Sequence, residues 1–157
     1  MYFMTNKCFL IVALLLIVIA GGTYKFLFQG SVTESTDGRL SIQLDADESD
    51  LVLTEMRLFL GSTQKITEGI TENDMQLVAE YARKSGKAAQ GAVPGTLVGK
   101  LPMQFKQLGS DTHAKFDQLA LDAEEFGDGA HVLSQLSTLM QNCVACHAAY
   151  RIDVSSE

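Results

Sequence analysis

The sequence predicts an all-α fold, a four-helix bundle preceded by an N-terminal signal or anchor segment. Three observations carry this. Four stretches repeat apolar residues at three- and four-residue steps, the period of a helix with one inward face. No alternating or β/α pattern competes with them. The composition is 46% hydrophobic, with two prolines and no tryptophan, and 157 residues suit one domain with a leader to spare. The expected organisation is residues 1–28 as signal peptide or membrane anchor, 29–47 as a polar linker, and 48–157 as the bundle.

The leader is apolar from Cys8 to Gly22, "CFLIVALLLIVIAGG", behind the positive Lys7. A positive residue, an apolar run and small residues at its end make a secretory signal, with Val18 and Ala20 placed for cleavage. The uncharged run extends over residues 8–24, and "FLF" follows Lys25, so it also suffices to span a roughly 30 Å hydrocarbon core. Both readings export the body; the apolar "KFLF" favours a retained anchor. Cys8 is expected as a passenger in the apolar segment. Residues 30–50, "GSVTESTDGRLSIQLDADESD", are polar and acidic and read as a tether, with a short ordered piece at "LSIQL".

The first body helix is expected over residues 49–70, with Val52, Met56, Phe59, Leu60, Thr63, Ile66, Thr67 and Ile70 inward and Asp47 to Asp50 as caps. The second covers residues 73–84, with Met75, Val78, Ala79 and Ala82 on one face. Residues 86–102, rich in Gly and Ala, form a crossover loop. The third starts at Pro102, presents Phe105, Leu108, Thr112, Phe116, Leu119, Ala120 and Ala123, and stops at Gly127. The fourth covers residues 128–151 through Val132, Leu136, Leu139, Met140, Cys143, His147 and Tyr150.

Charge excludes one class of partner. The net charge is −7, all 19 carboxylates lie after position 30, and Lys7 and Lys25 belong to the leader, so the body is more acidic than the whole. Such a surface repels nucleic acid and favours protein partners with basic docking surfaces. No hydrolytic triad, paired-carboxylate site or phosphate loop is visible, and the chain does not read as an enzyme.

The chemistry concentrates in "MQNCVACHAAYR", residues 140–151. On a helix Cys143 and Cys146 are three apart and His147 is four from Cys143, so all three share a face. That arrangement suits one covalent haem c: two thioether bonds, with the imidazole as proximal iron ligand. Zinc requires further ligands, and only His113 and His131 remain, neither in ligand spacing. A thioredoxin-type pair sits at a helix N-terminus, whereas this one lies near a C-terminus. A plain disulfide leaves the histidine unexplained.

A CxxCH closing the last helix of a four-helix pattern, with Tyr150 and Arg151 three and four residues past the histidine, resembles the cytochromes c′ and their low-spin relatives, the class II cytochromes c. The resemblance covers about residues 48–152. It implies an antiparallel bundle, periplasmic haem attachment, and frequent homodimers. It also implies a sixth ligand position on the first helix: apolar and non-ligating in cytochromes c′, which bind nitric oxide, and methionine in the low-spin electron carriers. Met56, central on that helix's face, is the expected distal ligand, which makes the chain a one-electron carrier. Leu60 as the distal residue gives the alternative, a five-coordinate binder of nitric oxide or other gases. Met75, Met103 and Met140 are weaker candidates. Arg151 and Arg57 are expected near haem propionates or the haem edge, Tyr150 in packing, and His113 as a surface or hydrogen-bonded histidine.

Overall fold

The computed structural model describes residues 2–91 and 93–155, with side-chain surroundings from residue 7 onward. Among these, six α-helices and one small sheet are found. The leader forms α1 (Tyr2–Thr23), which continues as a π-helical turn, Tyr24–Gln29. Residues Lys7–Gln29 are long and apolar enough to cross a membrane, and none of that length is buried inside the protein.

The expected linker at residues 29–47 is instead part of the domain. Val32–Glu34 (β1) and Leu40–Leu44 (β2) make an antiparallel hairpin, and β2 pairs in parallel with β3 (Tyr150–Val154), Ile42 opposite Ile152. Alternation in "LSIQL" puts Ile42 and Leu44 at 0% exposure, packed with Val52, Leu97, Leu101 and Tyr150. Glu34, Asp37, Asp45 and Asp47 around the strand are exposed and mask this burial in a compositional reading. We expect Ile42→Ala to lower stability by about 2–5 kcal/mol, the range for emptying a core aliphatic site, read as a lower urea midpoint. An unstructured tether would lose nothing.

The long helices follow the periodicity, with shifted ends. α2 (Ala46–Glu72) begins earlier than expected because Asp45, rather than a residue from Asp47 to Asp50, caps it; the Asp45 amide donates to Glu48 Oε2 at 3.2 Å. It ends at Asn73, in the left-handed conformation. α3 (Met75–Lys84) is capped by the Asp74 carboxylate, which accepts from the Leu77 amide at 2.9 Å. The crossover contains a 3₁₀ turn (Lys87–Gln90) and a short helix, α4 (Gly95–Lys100). α5 (Met103–Phe126) starts behind Pro102 and stops at Gly127, and α6 (Gly129–Ala149) is capped by Asp128. α6 ends two residues short of the expected Arg151, because the chain turns into β3 at Tyr150.

α2 packs on α3, α3 on α5, α5 on α6, and α6 returns to α2. The core has two parts. One lies among these helices: Phe59, Ile66, Val78, Phe116, Leu119, Val132, Leu136 and Leu139, with Phe59 stacked on Phe116 at 5.5 Å. The other lies under the sheet and α4.

His113 is a satisfied buried histidine. Its Nδ1 lies 2.8 Å from the Ser85 carbonyl and its Nε2 3.1 Å from Glu55 Oε1. Burial alone lowers its pKa, but Glu55 and the Ser85 and Gly86 carbonyls outweigh that, and the net shift is upward. A histidine raised on folding stabilises the folded state most below its unfolded pKa of about 6.5, and that contribution fades as pH rises through the folded value. The urea midpoint is therefore expected to fall between about pH 6 and pH 8, below the range where the thiols begin to titrate. Glu55→Gln should flatten that fall; an equal fall in the variant assigns it elsewhere.

Candidate functional site

The inward faces read from the sequence are buried over part of each helix and left open elsewhere. On α2, Phe59 and Ile66 are buried, while Met56 is half-buried and Leu60 is 72% exposed. On α5, Phe116, Leu119 and Ala120 are buried, while Phe105 and Leu108 are not. On α6, Leu136 and Leu139 are buried, while Met140 and His147 are exposed and Cys143 is half-buried. These unfilled positions all line one cavity of about 430 Å³, within the size range of small-molecule and cofactor sites. A stripe of apolar residues normally closes on itself in the core. Here it surrounds an opening.

Cys143, Cys146 and His147 lie on one wall, as helical spacing requires, and Met56, Arg57 and Leu60 on the α2 wall. Phe105, Leu108, Gly109 and Thr112 come from α5. The cavity separates the two cores: Met56 and Cys143 pack against the helical one, while Phe105, Leu108 and Cys146 pack against the one under the sheet. Gly109 adds to this picture. Glycine inside a helix costs about 1 kcal/mol relative to alanine, yet a Cβ placed there meets nothing within 4 Å. No neighbouring part of the polypeptide requires glycine, and its bare backbone widens the cavity.

Both cysteines are free thiols. Burial raises the pKa of Cys143; burial, and then Cys143, push Cys146 up to about 11. They are protonated at neutral pH, the reverse of the lowered pKa of a thiol-redox centre. Among the described residues no three His, Cys, Asp or Glu side chains converge as a metal cage. Two thiols and one imidazole on an apolar wall match a planar organic group that brings its own metal. The apolar stripe, the gap between the cores and the donor set all fit haem.

Other expected residues divide. Arg57 lies at the exposed rim, its Nη2 donating to Thr54 Oγ1 at 2.9 Å. Arg151 does not line the cavity. On β3 its guanidinium donates to Asp153 Oδ1 at 2.7 and 3.1 Å and to Ser35 Oγ at 3.2 Å; the expectation assumed that α6 ran on through it. Tyr150 packs, ring edge to Phe105, with its hydroxyl donating to Gln104. Met140 lines the cavity from the cysteine helix, whereas Met75 and Met103 are not among its lining residues, nor are His113 and His131.

Two contributors escaped the sequence reading. Arg39, in the hairpin once taken for linker, donates through Nη1 to the carbonyls of His147 and Tyr150, both at 3.3 Å, while Asp37 holds its other side at 2.7 Å. It brings the positive charge that the C-terminal end of α6 favours, the role that Arg151's position suggested. "TDGR" reads as a turn, but nothing local tells where its arginine reaches. Asn142, buried beside Cys143, donates to Asp111 at 2.7 Å and to Thr112 at 3.2 Å, tying α6 to α5. No family model, curated protein or solved structure matches the chain.

Proposed function

We propose that this chain is an exported, membrane-anchored one-electron carrier holding one covalent haem c, a four-helix-bundle c-type cytochrome of the class II kind. The observation that carries the reading is one apolar cavity whose lining includes Cys143, Cys146, His147 and Met56. The ring of neighbouring contacts α2–α3–α5–α6–α2 supports the bundle.

The haem supplies a one-electron change at iron, and methionine ligation favours the reduced form. The chain's residues do the rest. Cys143 and Cys146 would fix the group to α6, and His147 would offer a ring nitrogen as a ligand beside them. Arg39 holds the backbone turn that carries His147. Phe59, Phe105 and Leu108 give the cavity an apolar lining, and Arg57 would offer positive charge at the rim for a propionate. With His147 and Met56 both holding the group, little of the chain would need to move when an electron passes.

The segment after the apolar helix supports a retained anchor, because it is fastened to the body. The Ser31 amide donates to the Lys100 carbonyl at 2.7 Å, and Lys106 Nζ donates to the carbonyls of Phe26 and Leu27. Gly30, at φ +68°, lies so close to α4 that a Cβ would sit 2.4 Å from the Lys100 oxygen. Cell fractionation tests this: the full chain is expected in carbonate-washed membranes, and a soluble product beginning at Gly21 contradicts it. A chain lacking residues 1–28 is expected to remain in the cytoplasm without haem.

Leu60 favours a second reading. It lines the same cavity one turn from Met56; if it covers the iron instead, the site is five-coordinate and binds nitric oxide. A ferrous absorption spectrum with and without carbon monoxide separates the two. The carrier is expected to be low-spin and unchanged by the gas, the gas binder high-spin and shifted.

A further inference from the structure

A second cavity, of about 530 Å³, lies between α2, α4 and α5 and plays no part in the haem reading. Its walls include Leu58, Leu97, Val98, Leu101 and Phe105, and its polar groups include Glu55, Ser110 and His113. Exposed apolar side chains surround it, with Leu51 46%, Leu58 39% and Val98 40% exposed. Apolar groups left open around a cavity favour an apolar occupant.

Its position says where such an occupant comes from. α4, which forms one wall, touches the end of the membrane-length helix: a Cβ on Gly99 would sit 3.3 Å from the Phe26 ring. Lys106, on another wall, holds the Phe26 and Leu27 carbonyls. With residues 7–29 in a bilayer, the reading on which this inference rests, the cavity lies at the membrane surface.

The polar groups select the head of the ligand. Both nitrogens of His113 are engaged, with Ser85 and Gly86 at one and Glu55 Oε1 at the other. Among the described residues Glu55 meets His113 through Oε1, which leaves Oε2 as an acceptor, and its negative charge disfavours carboxylate or phosphate heads. Lys106, the cation in the lining, is already bonded to two carbonyls. The fitting head is therefore a neutral hydroxyl donor, and the Phe105 ring favours an aromatic one.

We propose that this cavity binds a membrane-soluble hydroquinone, its ring hydroxyl donating to Glu55 and its aliphatic tail leaving toward the bilayer. Glu55, Phe105 and Gly109 line both cavities, so the bound ring lies next to the proposed haem site.

The test is anaerobic titration calorimetry on the full chain in nanodiscs and, separately, in detergent, with a decyl-substituted hydroquinone, decanol and decanoate as probes. The hydroquinone is expected to bind one-to-one, at least tenfold tighter than the other two. Glu55→Gln should weaken it about tenfold, because a neutral amide oxygen replaces the charged acceptor. Ser110→Phe, at an exposed α5 position, should fill the cavity and abolish binding while leaving the circular dichroism unchanged. Equal affinity for decanol overturns the aromatic assignment, equal affinity for decanoate overturns the hydroxyl head, and wild-type binding by the Ser110→Phe chain overturns the site. Membrane fractionation keeps the two readings apart. If the anchor reading alone fails, the chain leaves the membrane yet still binds in detergent; if the cavity reading alone fails, it stays in the membrane and gives no heat.

Discussion

A chain carrying Cys143→Ala and Cys146→Ala together is expected to lose all haem that survives acid–acetone extraction. The two thiols lie one helical turn apart on the cavity wall, and no other cysteine is near: Cys8 belongs to the leader helix. Each single variant should keep one thioether bond and show a shifted alkaline pyridine spectrum, because one vinyl group stays unsaturated. The variants also report on stability. The cavity divides the core, so the protein without haem leaves Met56 and Cys143 facing open space on one side and Phe105 and Cys146 on the other. Filling that space removes apolar surface from water at about 25 cal/mol per Å², and the double variant should therefore unfold at markedly lower temperature than the loaded wild type. Extractable-resistant haem in the double variant would sink the proposal at its root.

How much of this was legible from sequence depends on how local each signal is. The faces of α2, α3, α5 and α6 are local: Phe59, Ile66, Val78, Phe116 and Leu136 recur at helical steps and are buried. The grouping of Cys143, Cys146 and His147 is local as well. The hairpin is not. β2 is a five-residue strand in acidic surroundings, and what completes it is β3, more than a hundred residues later. The sequence marks Leu40–Leu44 as an ordered piece but not what it pairs with, so Arg39 stays hidden, its contact with the His147 carbonyl crossing 108 positions. The same strand pairing explains Arg151: pairing to β2 draws Tyr150–Val154 out of the helix and turns the arginine to Asp153 instead of toward the cavity. Leu60 shows the opposite case. Periodicity placed it inward, and it does line the cavity, but with no protein across from it the side chain stays 72% exposed.

The variant that separates the electron carrier from the gas binder is Met56→Ala. Met56 is half-buried, packs against the helical core and lines the cavity from α2. Its thioether is a soft donor suited to ferrous iron. If it ligates, the wild type is low-spin in both oxidation states and does not take up carbon monoxide, and Met56→Ala converts it to a ferrous protein that binds the gas stoichiometrically at a lower reduction potential. Packing alone predicts something different. A partly exposed methionine that only fills space costs at most the lower end of the roughly 2–5 kcal/mol seen for core truncations, and its removal leaves the spectrum alone. Leu60→Ala serves as the partner measurement, because it opens the same wall one turn away without removing a sulfur. A low-spin wild type that turns high-spin with Met56→Ala but not with Leu60→Ala assigns the ligand. A wild type that is already high-spin and binds carbon monoxide returns Met56 to the packing of the helical core and makes the gas-binding reading the better one.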